Sequence, residues 1–401
     1  MTPWLSIVGL GEDGFDGIAP PARLLIEQAE ILVGAARHLA MAPADHPAER
    51  LQWSSPLEAT IGEIIARRGR RVCILATGDP MWYGIGATLA GLIEASEMSL
   101  IPAPSAFSLA CARLAWPLAE TDCFTLHGRP LELLHLHLAP GARLVMLATD
   151  GDSPARIAAL LRDAGYGRSR ITVLEHMGGA DERRVEGMAD SWDAKPGAAF
   201  NTVAIECRAA ADAAPRSRSP GLPDDAYEND GQLTKRETRA ATLAALMPLP
   251  GQRLWDVGAG CGSIAIEWLR AANHGGAIAI ERDPQRCAMI ARNATALGVP
   301  GLDIVNRAAP AALADLAAPD AVFIGGGVSF GLIEICWNAL LPGGRLVANV
   351  VTIEGESALS EGLTTFGGDL TRIAISRAEP LGGLSGWRAL APVTQWAVVK
   401  P

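Results

Sequence analysis

Leu254 to Ser263, LWDVGAGCGS, is the stretch on which the reading of this chain turns. An apolar run closes on Asp256, and Gly258, Gly260 and Gly262 follow at every second position. Such a pattern reads as strand, loop, helix. Glycine lets the backbone turn sharply and approach a ligand closely. The helix expected from Ser263 onward points its free N–H groups at the same place. A second acid, Glu281, closes the next strand-like run, where a carboxylate can accept both hydroxyls of a ribose. Ala259 and Cys261 complete the loop.

The cradle is nucleotide-sized, but Asp256 sits where a pyrophosphate would be repelled. A cationic nucleoside fits better. S-adenosyl-L-methionine carries a sulfonium and an ammonium and no phosphate. A tight strand-to-helix turn with no ligand is the plain alternative, and Glu281 on the next strand weighs against it.

Outward from this loop, strand-like runs alternate with helical stretches. The strands are predicted at Arg253–Val257, Ala277–Glu281, Leu302–Val305, Ala321–Ile324 and Arg345–Val350. The helices are predicted at Ser263–Ala272, Pro284–Leu297, Ala311–Leu316, Phe330–Leu341 and Ser357–Phe366. That rhythm is α/β, with a doubly wound parallel sheet. Leu370–Ser376 and Thr394–Val399 follow with no helix between them and should pair antiparallel at the sheet's end, a pattern that favours a methyltransferase over a dehydrogenase. Thr234 to Glu237 reads as a capping box, with Thr234 as N-cap. Lys235, Arg236 and Arg239 then form a basic cluster, either a solvated face or a clamp for carboxylates. Phe323 to Gly327 puts a glycine run at the end of the fourth strand, and Gly326 and Asn349 face the crevice where ligands of open α/β sheets lie.

A second glycine loop opens the chain, with Gly9, Gly11 and Gly14 after an apolar run. Alone it says little. Thr77-Gly78-Asp79-Pro80 and Pro102-Ala-Pro-Ser105-Ala106 also end strand-like runs, and the three loops could line one cleft. Asp79 either faces a cationic ligand or caps its own turn, the commoner fate of Gly-Asp-Pro. Strands are predicted at Trp4–Val8, Val72–Ala76, Leu144–Ala148, Ile171–Leu174 and Thr202–Ile205, and helices at Arg23–Ala29 and Thr60–Ala66. His135 and His137 would share a strand face, but no third ligand is near, and no metal site is expected.

The 401 residues carry a net charge of −10, which leaves no basic excess for a general nucleic-acid binder. No apolar run approaches the roughly 20 residues that span a bilayer. No export signal is read at the start, and the 7 cysteines never form CxxC, so reduced thiols in a cytoplasmic protein are expected. Residues 209–231, rich in Pro, Ser, Asp and Ala, read as a linker between domains 1–208 and 232–401.

The motifs are recognisable. VGLGEDG at 8–14, LATGDPMWYG at 75–84, IPAPSAFSLA at 101–110 and HGRP at 127–130 resemble the tetrapyrrole methylase family. In that family the first loop usually reads GLGPG, whereas Glu12 and Asp13 stand here for Pro-Gly. LTKRETRA at 233–240, DVGAGCGS, IERDP at 280–284, AAPAAL at 308–313 and FIGGGV at 323–328 resemble the Rossmann-type methyltransferases of cobalamin synthesis. In this order the two resemble the fused precorrin-6B C(5,15)-methyltransferases (decarboxylating). The resemblance implies an N-terminal tetrapyrrole methylase fold and a C-terminal Rossmann-type methyltransferase sheet. It also implies two S-adenosyl-L-methionine sites per chain and a tetrapyrrole (precorrin) substrate.

By analogy, the first half methylates carbon 5. The second methylates carbon 15 and removes carbon dioxide from the ring C acetate. Thr234, Gly258 to Gly262, Glu281 and Ala309 match the family's cofactor positions in the second half. Gly9, Gly11, Gly78, Asp79, Ser105 and Ala106 match in the first. The substrate's carboxylates give Lys235, Arg239, Arg372 and Arg388 plausible partners. No general acid or base is named, and a homo-oligomer without membrane association is expected. The rivals are a methylase of another corrin intermediate, an NAD-dependent oxidoreductase with a regulatory N-domain, and a non-catalytic tetrapyrrole carrier.

Overall fold

Short apolar strands of Val, Ile and Leu alternate with amphipathic helices throughout, and the computed structural model, which describes residues 3–214 and 216–401, builds three main sheets from them. The chain divides into two units. One is Met1–Arg129 with Ala139–Ala214, and the other is Pro130–Leu138 with Pro215–Pro401.

The first unit contains two five-stranded sheets. One comprises β1 (Leu5–Leu10), β2 (Ile31–Gly34), β3 (Glu49–Gln52), β4 (Val72–Thr77) and β5 (Met98–Ile101), in the order β3-β2-β4-β1-β5 and parallel throughout. Its helices are α1 (Pro20–Glu27), α2 (Ala36–Met41), α3 (Leu57–Ala66) and α4 (Ile85–Ala90). β1 and β2 are buried on both faces, as parallel strands between helices must be. After α5 (Ala106–Leu114), the second sheet holds β6 (Asp122–Thr125), β7 (Arg143–Leu147), β8 (Arg170–Glu175), β9 (Arg183–Met188) and β10 (Asn201–Glu206), with α6 (Ser153–Asp163) between β7 and β8. Its order is β6-β7-β10-β8-β9, with only the β6–β7 pair parallel.

The second unit opens with α7 (Arg236–Leu246). β11 (Arg253–Val257), α8 (Ser263–Ala271), β12 (Gly276–Glu281), α9 (Pro284–Ala296), β13 (Asp303–Asn306), β14 (Ala321–Ile324), α10 (Phe330–Ala339), β15 (Arg345–Val350) and α11 (Ile353–Phe366) follow. β16 (Asp369–Ile373), a two-stranded hairpin of β17 (Ser376–Leu381) and β18 (Leu384–Ala389), and β19 (Val393–Val399) close the chain. The seven strands run β13-β12-β11-β14-β15-β19-β16; six share one direction and β19 alone is reversed, pairing antiparallel with β15 on one side and β16 on the other. The antiparallel pair at the sheet's end is as the sequence predicts, but the hairpin inserted within it was not foreseen. The helix predicted at Ala311–Leu316 is a single 3₁₀ turn, Ala311–Leu313. His135 lies in a 3₁₀ helix, Leu131–Leu136, rather than on a strand.

The predicted linker is not uniformly exposed. Leu222 and Tyr227 are buried in the second unit's core. Arg218 donates to the Arg270 carbonyl, and Arg270 in turn donates to the Arg216 and Ser217 carbonyls. Glu267 accepts from the Gly221 and Leu222 backbone N–H groups. Buried side chains of α8 therefore hold residues 216–227 as a strap. The Pro- and Ser-rich composition hid these two apolar anchors. Among the described residues, no helix is long and apolar enough to cross a membrane.

Candidate active site

The carboxyl ends of β11, β12, β14 and β15 open onto a cavity of about 850 Å³ in the second unit. The glycine loop forms one wall. At Gly258 φ is +74°, and a Cβ there would stand 2.8 Å from the Gly326 nitrogen, so this glycine lets two strand-end loops touch. Gly260, at φ +61°, has only the Gln232 carbonyl near its would-be Cβ, at 3.6 Å. Its backbone therefore lies open to the cavity. Gly262 packs against Ile290 of α9 and does not line the cavity.

Glu281 lines the cavity although it is only 6% exposed. Its carboxylate accepts from the Gly260 N–H and the Asp283 N–H, each at 3.0 Å. The acid is thus held in place by the loop it faces. Thr234, Lys235, Ala259, Cys261, Ala309, Gly326 and Asn349 also line the cavity.

Asp256 does not. It is 1% exposed, and one carboxylate oxygen accepts from the Ala265 N–H in the first turn of α8 at 3.0 Å. Burial pushes its carboxyl up to about 7, against the Ala265 hydrogen bond, with Glu281 adding repulsion. The acid expected to face a cation instead serves a helix N-terminus.

Three expected substrate contacts are likewise corrected. Arg239 is fully buried. Its Nε donates to Glu267 at 2.6 Å, Nη1 donates to Asp224 and to the Thr234 carbonyl, and the guanidinium lies 4.8 Å from the Tyr227 ring centroid. A buried guanidinium demands such partners, and they leave nothing for a ligand. Arg372 is paired with Glu356, and Arg388 with Glu379 at 3.1 Å; neither lines the cavity. The capping box does not form either: Lys235 occupies the N-cap of α7 with no side-chain cap.

Sequence reasoning missed Arg282, Arg286 and Arg307, which line the cavity with Lys235. Arg286 pairs with Asp230 at 2.7 Å and Arg307 with Asp315 at 3.3 Å. The available signal was positional: Arg282 and Arg307 each stand immediately past the end of a parallel strand. Glu281 is the one carboxylate among the cavity-lining residues, against four cations. In a chain of net charge −10, the cavity's lining is locally cationic, with Lys235 and Arg282 as the two cations besides the paired Arg286 and Arg307.

In the first unit, the three small-residue loops converge at the ends of the adjacent strands β4, β1 and β5. A Cβ on Gly9 would meet the Gly78 oxygen at 2.0 Å and the Ala103 nitrogen at 2.4 Å. The Gly78 N–H donates to the Leu10 carbonyl at 2.8 Å, and the Ala103 N–H to the Gly78 carbonyl at 3.1 Å. Ser105 is the N-cap of α5, which begins at Ala106, and its hydroxyl accepts from the Ser108 N–H. Asp79 accepts from the Met81 N–H at 2.9 Å, the turn-capping alternative. Gly11 lets Asp13 fold back over the loop, since a Cβ would stand 2.3 Å from its Oδ1.

Glu12, one of the two residues that replace Pro-Gly, joins a network the sequence did not reveal. Glu12 pairs with Arg37 at 2.7 Å and contacts His176 at 3.2 Å. Arg37 also donates to Thr77, whose hydroxyl contacts His38. Burial, with Arg37 nearby, brings the His38 imidazole down to about 4.

Residues 5–192 match the family of tetrapyrrole (corrin/porphyrin) methylases, and residues 225–400 match the precorrin methyltransferase domain. A precorrin-6Y C(5,15)-methyltransferase [decarboxylating] from Sinorhizobium sp is 48% identical over 401 residues, covering 100% of this chain and 97% of that protein. Two half-length relatives are also similar. A cobalt-precorrin-7 C(5)-methyltransferase from Salmonella typhimurium is 32% identical over 45% of this chain and 88% of its own length. A "probable cobalt-precorrin-6B C(15)-methyltransferase (decarboxylating)" from Pyrobaculum calidifontis is 34% identical over 44% of this chain and 93% of its own. The chain thus belongs to the precorrin C(5,15)-methyltransferase (decarboxylating) family, enzymes of S-adenosylmethionine-dependent methylation and decarboxylation of a precorrin intermediate in cobalamin biosynthesis.

Proposed function

We propose that each unit holds its own S-adenosyl-L-methionine, the first methylating carbon 5 and the second methylating carbon 15 and decarboxylating the ring C acetate. The observation that carries this reading is a cluster of glycine-bearing strand-end loops in each unit, which in the second unit lines a cavity. The half-length relatives support the division, since one carries a C(5) and the other a C(15) activity in its name.

The second-unit residues fit the group. Glu281 is a buried carboxylate at the end of the second parallel strand, held to accept ribose hydroxyls, and Gly260 leaves its backbone open. Thr234, Ala259, Cys261 and Ala309 stand at the same cavity. Lys235 and Arg282 provide cations for the carboxylates of the macrocycle, with Gly326 leaving room beside them. In the first unit, Gly9, Gly11, Gly78, Ser105 and Ala106 form the corresponding cradle. S-adenosylmethionine, when bound, supplies the activated methyl group; the chain supplies binding and alignment.

Calorimetric titration of the whole chain with S-adenosylhomocysteine tests the reading. Two bound molecules per chain are expected, and a stoichiometry of one would overturn it. We also infer a homo-oligomer. Ala378, Pro380, Trp387 and Ala389 share an exposed, uncharged face of the β17–β18 hairpin. Sedimentation equilibrium should give a mass above the 41.9 kDa monomer, and a monomer at all concentrations would contradict this.

A further inference from the structure

We propose that Thr242 and Gln395 are positioning residues for the reaction in the second unit, because they lock the amide of Asn349 in one orientation at the cavity. The proposal rests on the reading of that cavity as the carbon 15 site.

Three elements meet here. Asn349 is the fifth residue of β15, Gln395 stands directly opposite it on β19, and Thr242 projects from α7. Thr242 is fully buried and Gln395 is 6% exposed. The Thr242 hydroxyl donates to the Thr238 carbonyl at 2.8 Å. Its one hydrogen is therefore spent, and its oxygen can only accept. It accepts twice, from Asn349 Nδ2 at 2.8 Å and from Gln395 Nε2 at 3.1 Å. Gln395 Nε2 also donates to Asn349 Oδ1 at 2.9 Å.

The circuit has a direction. Turning the Asn349 amide over would make the Thr242 hydroxyl give up the Thr238 carbonyl to donate to its oxygen. It would also put its NH₂ against the NH₂ of Gln395. Turning Gln395 as well would set two carbonyl oxygens against the same hydroxyl oxygen. Each alternative leaves buried polar groups unpaired, at about 1–3 kcal/mol apiece. Only one arrangement satisfies every atom.

An amide has two N–H donors and two lone pairs on its oxygen. The network engages one of each. One N–H and one lone pair remain outside the network, on a residue that lines the cavity. The chain thus presents a neutral donor–acceptor group at the strand end, in a cavity whose charged lining is four cations and Glu281. Cations attract the carboxylate arms of the macrocycle without distinguishing them. A fixed neutral edge can set the register of the ring, by pairing with a group that both donates and accepts. Such alignment raises the rate only if the edge is held still, which is the role assigned to Thr242 and Gln395.

The test uses the full chain with isotopically labelled S-adenosylmethionine and mass detection of product. Gln395→Glu keeps the shape but sets a carboxylate against Asn349 Oδ1 and the Thr242 oxygen, and Thr242→Val removes the shared acceptor. Both are expected to lower kcat for the carbon 15 methylation at least tenfold, more than they raise KM. The carbon 5 methylation, measured in the same mixture, should stay within twofold, as should S-adenosylhomocysteine affinity. Thr242→Ser should recover most of the rate lost in Thr242→Val. Unchanged carbon 15 kcat in both variants overturns the proposal. So does an equal loss at carbon 5, or failure of Thr242→Ser to recover. If instead the cavity is not the methyl-donor site, Glu281→Ala will bind S-adenosylhomocysteine normally, which separates failure of the reading from failure of the lock.

Discussion

In the proposed second site, Glu281 is the residue given the ribose. Loss of a charge-assisted hydrogen bond costs about 1.5–3 kcal/mol, so Glu281→Ala should weaken S-adenosylhomocysteine binding at that site roughly tenfold or more. Titration of the variant against the parent chain checks it, and equal affinity would sink the ribose assignment. Asp256 gives a pH prediction. Its folded carboxyl titrates near 7, raised from 3.8, because burial opposes its charge. The folded state therefore holds a proton that the unfolded state has released between those values. Stability from this group is full below about 4 and is lost as pH rises through about 7. Asp256→Asn keeps an acceptor for the Ala265 N–H and carries no charge. It should raise the melting temperature of the second unit at pH 8, with the gain shrinking toward pH 5. A gain that grows on acidification would contradict this. The place of Glu281 at the cavity was legible in the sequence because it closes a strand-like run of the parallel sheet. Asp256 and Arg239 were misread because sequence gives residue type and not depth. One lies under a helix N-terminus, and the other is enclosed by the segment taken for a linker.

Among the elements, the parallel strands of the second unit were legible because each is a short apolar run, and β11, β12 and β14 end at a glycine or an acid. β2, β3, β5 and β6 have four residues each and carry too little pattern to stand out. The hairpin escaped because β17 and β18 are mostly exposed, and Pro380 and Gly386 inside them argue against strand. The glycine loop sorts its own members. Gly258→Ala would drive a Cβ into the Gly326 backbone, whereas Gly260→Ala meets nothing closer than 3.6 Å. Both residues have positive φ, so both alanines carry about 1 kcal/mol of backbone strain. The second unit of Gly258→Ala should melt several degrees below that of Gly260→Ala. Equal melting temperatures would mean that the two loops do not touch as described.

At the scale of the whole molecule, the strap over 216–227 shows how the second unit extends beyond the domain that its motifs mark. Glu267 accepts from Gly221, Leu222, Tyr227 and Arg239 while itself 1% exposed. Glu267→Ala leaves the Arg239 guanidinium buried without its main partner, a loss of about 3–5 kcal/mol. Denaturant unfolding followed by a signal from the second unit should show it, and a change under 1 kcal/mol would contradict the strap's role. The two-part organisation was legible because two unrelated motif sets lie in order along the chain. The strap was not, because buried ionic anchors leave no hydrophobic period. The central claim is that each unit carries out one methylation. The most direct test is the mass spectrum of the product formed by Gly260→Val with labelled S-adenosylmethionine. Valine side-chain atoms at Gly260 would enter the open side of the loop, where the second methyl donor is placed. The expected product carries one labelled methyl, at carbon 5, and none at carbon 15; a product with both methyls, or with the carbon 15 methyl alone, would contradict the account.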